Sequence, residues 1–142
     1  MASSRRTQGR NNAPAQGTTA QLMHLLGAAG ELAVACYLGL EDEVFKDTEP
    51  VRGSSDLPGR IDVKCRSNHS YDLLVQLDDE PDKKFVLVTI QNRRTFIHGW
   101  IFGKDAMKEQ WIKTYVRGRT CYAVPQEHLN PIEELKCQAE AA

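Results

Sequence analysis

Apolar residues follow two different rhythms along the chain, and the change falls near Val44. Between Ala20 and Leu40, Leu22, Leu25, Leu26, Ala29, Ala33, Cys36 and Tyr37 recur three or four residues apart. That spacing predicts one long helix with those side chains as its core stripe. Thr18 or Thr19 would cap its start, and Gly39 with the acidic run Glu41-Asp42-Glu43 would end it. Gly27, Ala28 and Gly30 would let it lie close to another backbone. Beyond Val44 the period drops to two. Ile61 to Cys65 alternates apolar and polar, which predicts a half-buried strand. Tyr71 to Leu77 and Phe85 to Gln91 predict further strands, the second so apolar that it belongs at the centre of a sheet. Thr95 to Phe102 follows after the short Asn92-Arg93-Arg94 link, a hairpin signature. A helix over Lys104 to Lys113, a short strand over Cys121 to Val124 and an amphipathic piece around Pro131 to Cys137 complete the pattern. The expected class is α/β, an N-terminal helix followed by one mixed, mostly antiparallel sheet flanked by helices.

The first 17 residues are polar and lack any period, so they are expected to be a disordered tail, with residues 18–142 forming one domain. A chain of 142 residues closes a core without staples. The apolar helix is long enough to resemble a membrane span, but Glu31 lies near its middle, with His24 and Gln21 nearby. A central acid costs about 2.5 to 3.5 kcal/mol on insertion scales, so a buried soluble helix is the expectation and a membrane partner is not. The segment also lacks the features of a secretion signal. With 41% hydrophobic and 26% charged residues and a net charge of -1, the composition excludes a strongly basic histone-like protein and an acidic disordered one. It leaves room for a nucleic-acid partner, because positive charge can gather on one face. Cys36, Cys65, Cys121 and Cys137 are scattered without paired-ligand spacing, which argues against zinc, whether or not His69 or His98 is counted. They are expected to be reduced, mostly buried thiols of a cytoplasmic protein.

The chemistry concentrates in Ser54 to Arg66, SSDLPGRIDVKCR. Asp62 and Lys64 are two apart on a strand and therefore share a face, opposite Ile61, Val63 and Cys65. Asp56 lies six residues before Asp62, ahead of Leu57-Pro58-Gly59. A turn there would fold Asp56 back beside the start of the Asp62 strand. Two carboxylates and one ammonium would converge, a hard-oxygen set suited to Mg²⁺ or Mn²⁺. Such a cation stabilises charge developing on a phosphate and activates water, while a lysine orients that water or stabilises the transition state.

An acid, a short gap and then D-V-K on the next strand resembles the PD-(D/E)xK nuclease superfamily, with its restriction-endonuclease-like fold. The resemblance runs from about Gly27 to Gly103, and the Gly99-Trp100-Ile101 segment is similar to small phage-type members. It implies a DNA-cleaving hydrolase in which Asp56 and Asp62 ligate metal and the Val63 carbonyl assists. Lys64 would act on the water or phosphate, and Glu31, the lone charge of the apolar helix, would hold a metal or its water shell. Two departures stand out: Ser55 replaces the proline of the motif, and Asp62 replaces the commoner glutamate, which shortens its reach.

Taken singly, each residue has an ordinary structural explanation. A D-x-K pair decorates many exposed strands, Asp56 suits a turn and Glu31 suits a salt bridge. The nuclease reading rests on their order and conjunction. Arg60, Arg66, Arg93 and Arg94, with Gln91 and His69, are candidates to contact the DNA backbone, and otherwise ordinary surface residues. Trp100 is expected in the core. No helix-turn-helix or zinc-finger pattern appears, which favours structure-selective or nonspecific cutting. RNA is an alternative substrate, and a catalytically idle nuclease-fold binder or an unrelated interaction protein are alternative functions. A single site per chain, together with Trp111, Ile112, Tyr115 and Val116, points to a homodimer.

Overall fold

A computed structural model describes residues 13–44, 55–115 and 118–136. Helix α1 spans Ala13–Leu38 and is followed by the single turn α2, Glu41–Val44. Six strands come next: β1 Ile61–Arg66, β2 Leu73–Gln76, β3 Lys84–Gln91, β4 Arg94–Phe102, β5 Ile112–Thr114 and β6 Thr120–Val124. A four-residue helix α3, Gly103–Ala106, and a 3-10 turn at Glu109–Trp111 separate β4 from β5. The architecture is mixed α/β with an N-terminal helix and two small sheets.

Every sequence-predicted strand is present, and the helix/strand boundaries differ in instructive ways. Helix α1 begins at Ala13, so the last five residues of the expected tail, Ala13 to Gly17, are helical, and Thr18 and Thr19 lie inside the helix rather than capping it. Residues 1–12 lie outside the described residues. The helix predicted over Lys104 to Lys113 resolves into α3, the 3-10 turn and strand β5. The one expected sheet is instead two three-stranded sheets, ordered β1-β3-β4 and β2-β6-β5. Pairing is mostly antiparallel, as expected, except that β1 and β3 run parallel, with Asp62 opposite Phe85 and Arg66 opposite Thr89. The reason is the connection. After β1 the chain leaves the first sheet to lay β2 into the second, then re-enters at the same end, and alternation within a strand carries no information about its partner.

Three layers result: α1, the first sheet, and the second sheet. On one face of the first sheet Val34, Ala35 and Leu38 of α1 pack against Ile61, Val63, Val86, Val88 and Trp100. On the other, Phe85, Leu87 and Ile101 pack against Leu73, Val75 and Val124. Strand β3 is therefore buried on both faces and central, and Trp100 is a core residue at 4% exposure.

The core stripe of α1 differs from the expected one. Gly30, Val34, Ala35 and Leu38 face the sheet, Leu26, Ala33 and Tyr37 are half-buried, and Leu22, Ala29 and Cys36 are exposed. Leu25 is 66% exposed. A helix apolar on every side contains several equally good stripes, so the period does not choose among them. Ala20–Leu38 is long and apolar enough to cross a membrane, yet only 22% of it is buried here. The expectation of a buried helix holds for its C-terminal half alone. That half is seated by Gly30: a Cβ there would lie 2.9 Å from Cys65 Cβ. Gly27, by contrast, faces open space. The helix ends as expected, through Gly39 N–H donating to Cys36 O and Leu40 N–H to Ala35 O, a Schellman pair. Of the thiols, Cys121 is buried, Cys65 half-buried and Cys36 exposed, so they are less buried than expected, and Cys137 lies outside the described residues.

The C-terminal segment returns to the first sheet. Trp100 and Asn130 exchange backbone hydrogen bonds of 3.0 and 2.7 Å, and Ile132 and Leu135 close the α1 side of the core. Asn92 and Arg93 both adopt positive φ, so the hairpin expected there is present with a two-residue turn, and Arg94, expected in the link, is already in β4.

Candidate active site

Strand β1 lies at the edge of its sheet, so some of its backbone groups have no ladder partner. Asp56 supplies one. The Pro58-Gly59-Arg60 turn folds the chain back so that Leu57 bridges Ile61, and Asp56 Oδ2 accepts a 2.9 Å hydrogen bond from Val63 N–H. In the same reversal Asp56 N–H donates to Asp62 Oδ1 at 3.0 Å. The fold-back predicted from Leu-Pro-Gly is present, and the two acids are locked together by reciprocal backbone contacts. Asp56 as a whole residue is exposed, but its carboxyl turns inward onto the strand edge.

The electrostatics follow from that placement. Burial raises the Asp56 carboxyl above its ordinary range; the Val63 N–H opposes the rise, and the nearby Asp62 adds to it. Glu31 reaches the same region from α1. Burial again comes first, and the charges of Asp56 and Asp62 push its carboxyl up further. Three acids that would lie far apart on an extended chain therefore sense one another in the fold.

Lys64 shares the face of Asp62, as alternation requires, but its ammonium pairs with Asp79 at 3.1 Å and lies 5.3 Å from the Phe85 ring centre. The ammonium that meets Asp62 belongs to Lys83, 3.2 Å from Asp62 Oδ2 and 3.4 Å from Glu80. Burial alone would lower the Lys83 pKa; Asp62 and Glu80 together outweigh it and raise it. Sequence reading missed Lys83, because it sits in the polar loop DDEPDKK, and only the parallel register that sets Asp62 opposite Phe85 brings it alongside.

The proposed DNA contacts divide into two groups. Arg60 is engaged by Asp82 at 2.7 Å and Glu80 at 3.3 Å, and Arg66 donates to Asp72 O while its guanidinium lies over the Tyr71 ring. Neither is a free phosphate clamp. Gln91 Oε1 accepts from His69 N–H, and His69 Nδ1 is 2.7 Å from Thr89 Oγ1, so both are structural at the far end of the sheet. Arg93 and Arg94 are exposed at the hairpin and have no ion pair among the described residues.

Among the described residues no three His, Cys, Asp or Glu side chains form a group that could hold a metal ion. The chemistry of the donors nevertheless suits a hard divalent cation. Asp56 and Asp62 adjoin, their charges reach Glu31, and the Glu31 and Asp56 carboxyls are pushed toward protonation by burial and mutual repulsion. A divalent cation relieves that condition. Both Asp62 oxygens accept a hydrogen bond, one from Asp56 N–H and one from Lys83, so a cation bound through Asp62 would share the carboxylate with the Lys83 ammonium. Comparison of the chain with protein-family models, curated proteins and solved structures finds no match.

Glu31 supplies a test of this electrostatics. A carboxyl whose pKa is raised by folding destabilises the fold once ionised, and the penalty vanishes below its ordinary value of 4.5. Glu31→Gln is therefore expected to raise the melting temperature at pH 7, and only modestly, because solvent screens a half-exposed carboxyl. The gain should shrink to nothing as pH falls through the window down to 4.5. A lower melting temperature at pH 7 would instead identify Glu31 as a salt-bridge partner.

Proposed function

We propose that the chain is a metal-dependent nuclease of the PD-(D/E)xK type, with a restriction-endonuclease-like core, that hydrolyses phosphodiester bonds in DNA. The observation that carries the reading is the fold-back of Asp56 onto Asp62 at the free edge of β1, where both charges act on Glu31 of α1, with Lys64 on the Asp62 face. A structural role for D-x-K alone does not require a third acid from α1 at the same edge.

Asp56, Asp62 and Glu31 would hold Mg²⁺ or Mn²⁺, with the Val63 carbonyl available beside them. The ion supplies a Lewis acid at the phosphate and lowers the pKa of water. Lys83 neutralises and orients Asp62, and Lys64, on the Asp62 face and paired with Asp79, would be the ammonium to orient water or steady charge on the phosphate. Supercoiled plasmid, linear, branched and single-stranded DNA, incubated with Mg²⁺, Mn²⁺ or EDTA and resolved on gels, test the reading. Cleavage that appears with either metal and disappears with EDTA is expected; no cleavage of any form with either metal defeats it.

A second reading has its own support. Asp62 and Lys64 are both already paired, with Lys83 and Asp79. A nuclease-fold protein that binds nucleic acid or a protein partner without cutting would keep those pairs. Calorimetric titration with Mn²⁺ separates the two, since only the nuclease reading requires metal to bind.

Paired cuts in duplex DNA need two sites, so a closed dimer is proposed as well. The surface first expected for it is reduced: Trp111 packs on the second-sheet side of the core and Tyr115 is half-buried, leaving Ile112 at 46% exposure, while Val116 lies outside the described residues. Light scattering at micromolar concentration is expected to give twice the chain mass of 15.9 kDa. A monomer mass, unchanged on adding DNA, would predict single-strand nicks instead.

A further inference from the structure

We propose that Phe96, at the hairpin end of the first sheet, is a stacking platform for an unpaired base of single-stranded DNA. The proposal rests on the nuclease reading and names the class of DNA it acts on.

Phe96 is 45% exposed. A single exposed aromatic is ordinary. The structure beneath this one is not. His69 meets the Phe96 ring edge-on, with centroids 4.4 Å apart and planes at 82°, and His98 lies tilted at 6.0 Å. Both imidazoles are tied to one fully buried hydroxyl: Thr89 Oγ1 is 2.7 Å from His69 Nδ1 and 2.6 Å from His98 Nε2. That hydroxyl can donate to one ring at most and accepts from the other or from both, and either arrangement ties the two rings to one point. Gln91 fixes the His69 backbone N–H, and Gln126 donates to the carbonyls of both His69 and Tyr71. A partly buried polar network therefore supports an aromatic ring whose outer side is open.

A ring held in place from beneath loses little entropy when a flat group stacks on it. Charge points to a nucleic acid as the flat group's carrier. Arg93 and Arg94 flank the platform without ion pairs among the described residues, and Arg94 shares the Phe96 face by strand alternation. Tyr71, two residues beyond His69, adds a second aromatic at 41% exposure with the Arg66 guanidinium over its ring. Exposed aromatic rings beside arginines, of which Arg93 and Arg94 have no ion pair among the described residues, are the composition of single-strand sites. A duplex hides its base faces, so this platform favours single strands, flaps or frayed ends. Phe96 is two strands across and four residues along from Asp62, about 16 Å on the same side of the sheet. That separation is a span of a few nucleotides.

The test is anisotropy binding of the full chain in EDTA, where nothing is cut, to a single-stranded oligonucleotide and to the blunt duplex of the same sequence. Phe96→Leu keeps the packing and removes the π face. It is expected to weaken single-strand binding about 5- to 100-fold, as the loss of one stacked base does. Duplex binding should change less than about twofold, and Phe96→Trp should restore the single-strand affinity. Quenching of a 2-aminopurine base on binding, lost in Phe96→Leu, reports the stack itself. Single-strand binding unchanged in Phe96→Leu, or no single-strand binding by the parent protein, overturns the proposal. So does a change of oligomeric mass in Phe96→Leu, which would assign the surface to a second copy of the chain. Phe96-dependent binding by a protein that cuts nothing would keep the platform and defeat the nuclease reading. Cleavage with no dependence on Phe96 in binding would do the reverse.

Discussion

Asp62→Asn is expected to reduce metal-dependent cleavage by about 100-fold or more, the scale on which removing one group that stabilises transition-state charge acts. Its effect on stability should be opposite to that of Glu31→Gln. Asp62 Oδ2 holds the Lys83 ammonium, whose side chain is 8% exposed. An asparagine presents either a neutral oxygen or an NH₂ group to that ammonium, leaving Glu80 as its charged partner. The loss is expected to be about 1 to 3 kcal/mol at pH 7, the cost of weakening a buried charge-assisted hydrogen bond. The pair of variants thus divides the cluster: Glu31 opposes folding, whereas Asp62 supports it through Lys83. Gel cleavage assays beside urea denaturation check both halves. Undiminished cleavage by a folded Asp62→Asn protein would remove Asp62 from the chemistry.

Gly99→Ala is expected to be the most damaging single-methyl change to the fold. Gly99 has φ of +144°, and a Cβ there would lie 2.5 Å from Asn130 O and 2.9 Å from Leu129 Cβ. The neighbouring Trp100–Asn130 backbone pair is what anchors the C-terminal segment to β4. A methyl group must either strain that pair or push the segment away. The second course uncovers Ile132 and Leu135, now 8% and 2% exposed. Backbone strain costs about 1 to 3 kcal/mol, and each large aliphatic side chain released costs about 1.5 to 3 kcal/mol. The loss is about 1 to 3 kcal/mol if the pair strains and about 3 to 6 kcal/mol if both side chains are released, which lowers the melting temperature by about 3 °C to more than 10 °C. Calorimetry decides it: a melting temperature within about 2 °C of the parent would mean the segment shifts at little cost.

Much of the candidate site was legible in the sequence because its geometry is local. The reversal at Leu57-Pro58-Gly59 returns Asp56 to Asp62 within six residues, and alternation alone puts Lys64 on the Asp62 face. Glu31 was legible for a different reason: a single acid in an apolar helix is costly unless something at that point uses it. Lys83 was not legible. It is one of several charges in a polar loop, and its pairing with Asp62 comes from a parallel register between strands separated by a whole excursion into another sheet. Arg60 and Arg66 looked like surface cations because their partners, Asp82, Glu80 and the Asp72 carbonyl, are set by that same excursion.

What the sequence by itself determined is five of the six strands (β5 was expected as helix), the hairpin after β3, the centrality of β3 and the Asp56 reversal. Each depends on periodicity or on turn chemistry within a few residues, where the chain has few alternatives. The tertiary structure alone decided which face of α1 is buried, how six strands divide into two sheets, and which ammonium meets Asp62. Helix α1 is apolar on every side, so only the approach of Gly30 to Cys65 selects Val34, Ala35 and Leu38 for the core. Strand partners are chosen by packing both faces of β3 at once, under α1 on one side and Leu73, Val75 and Val124 on the other. Those choices depend on apolar surface brought together from distant segments, which no short window of sequence contains.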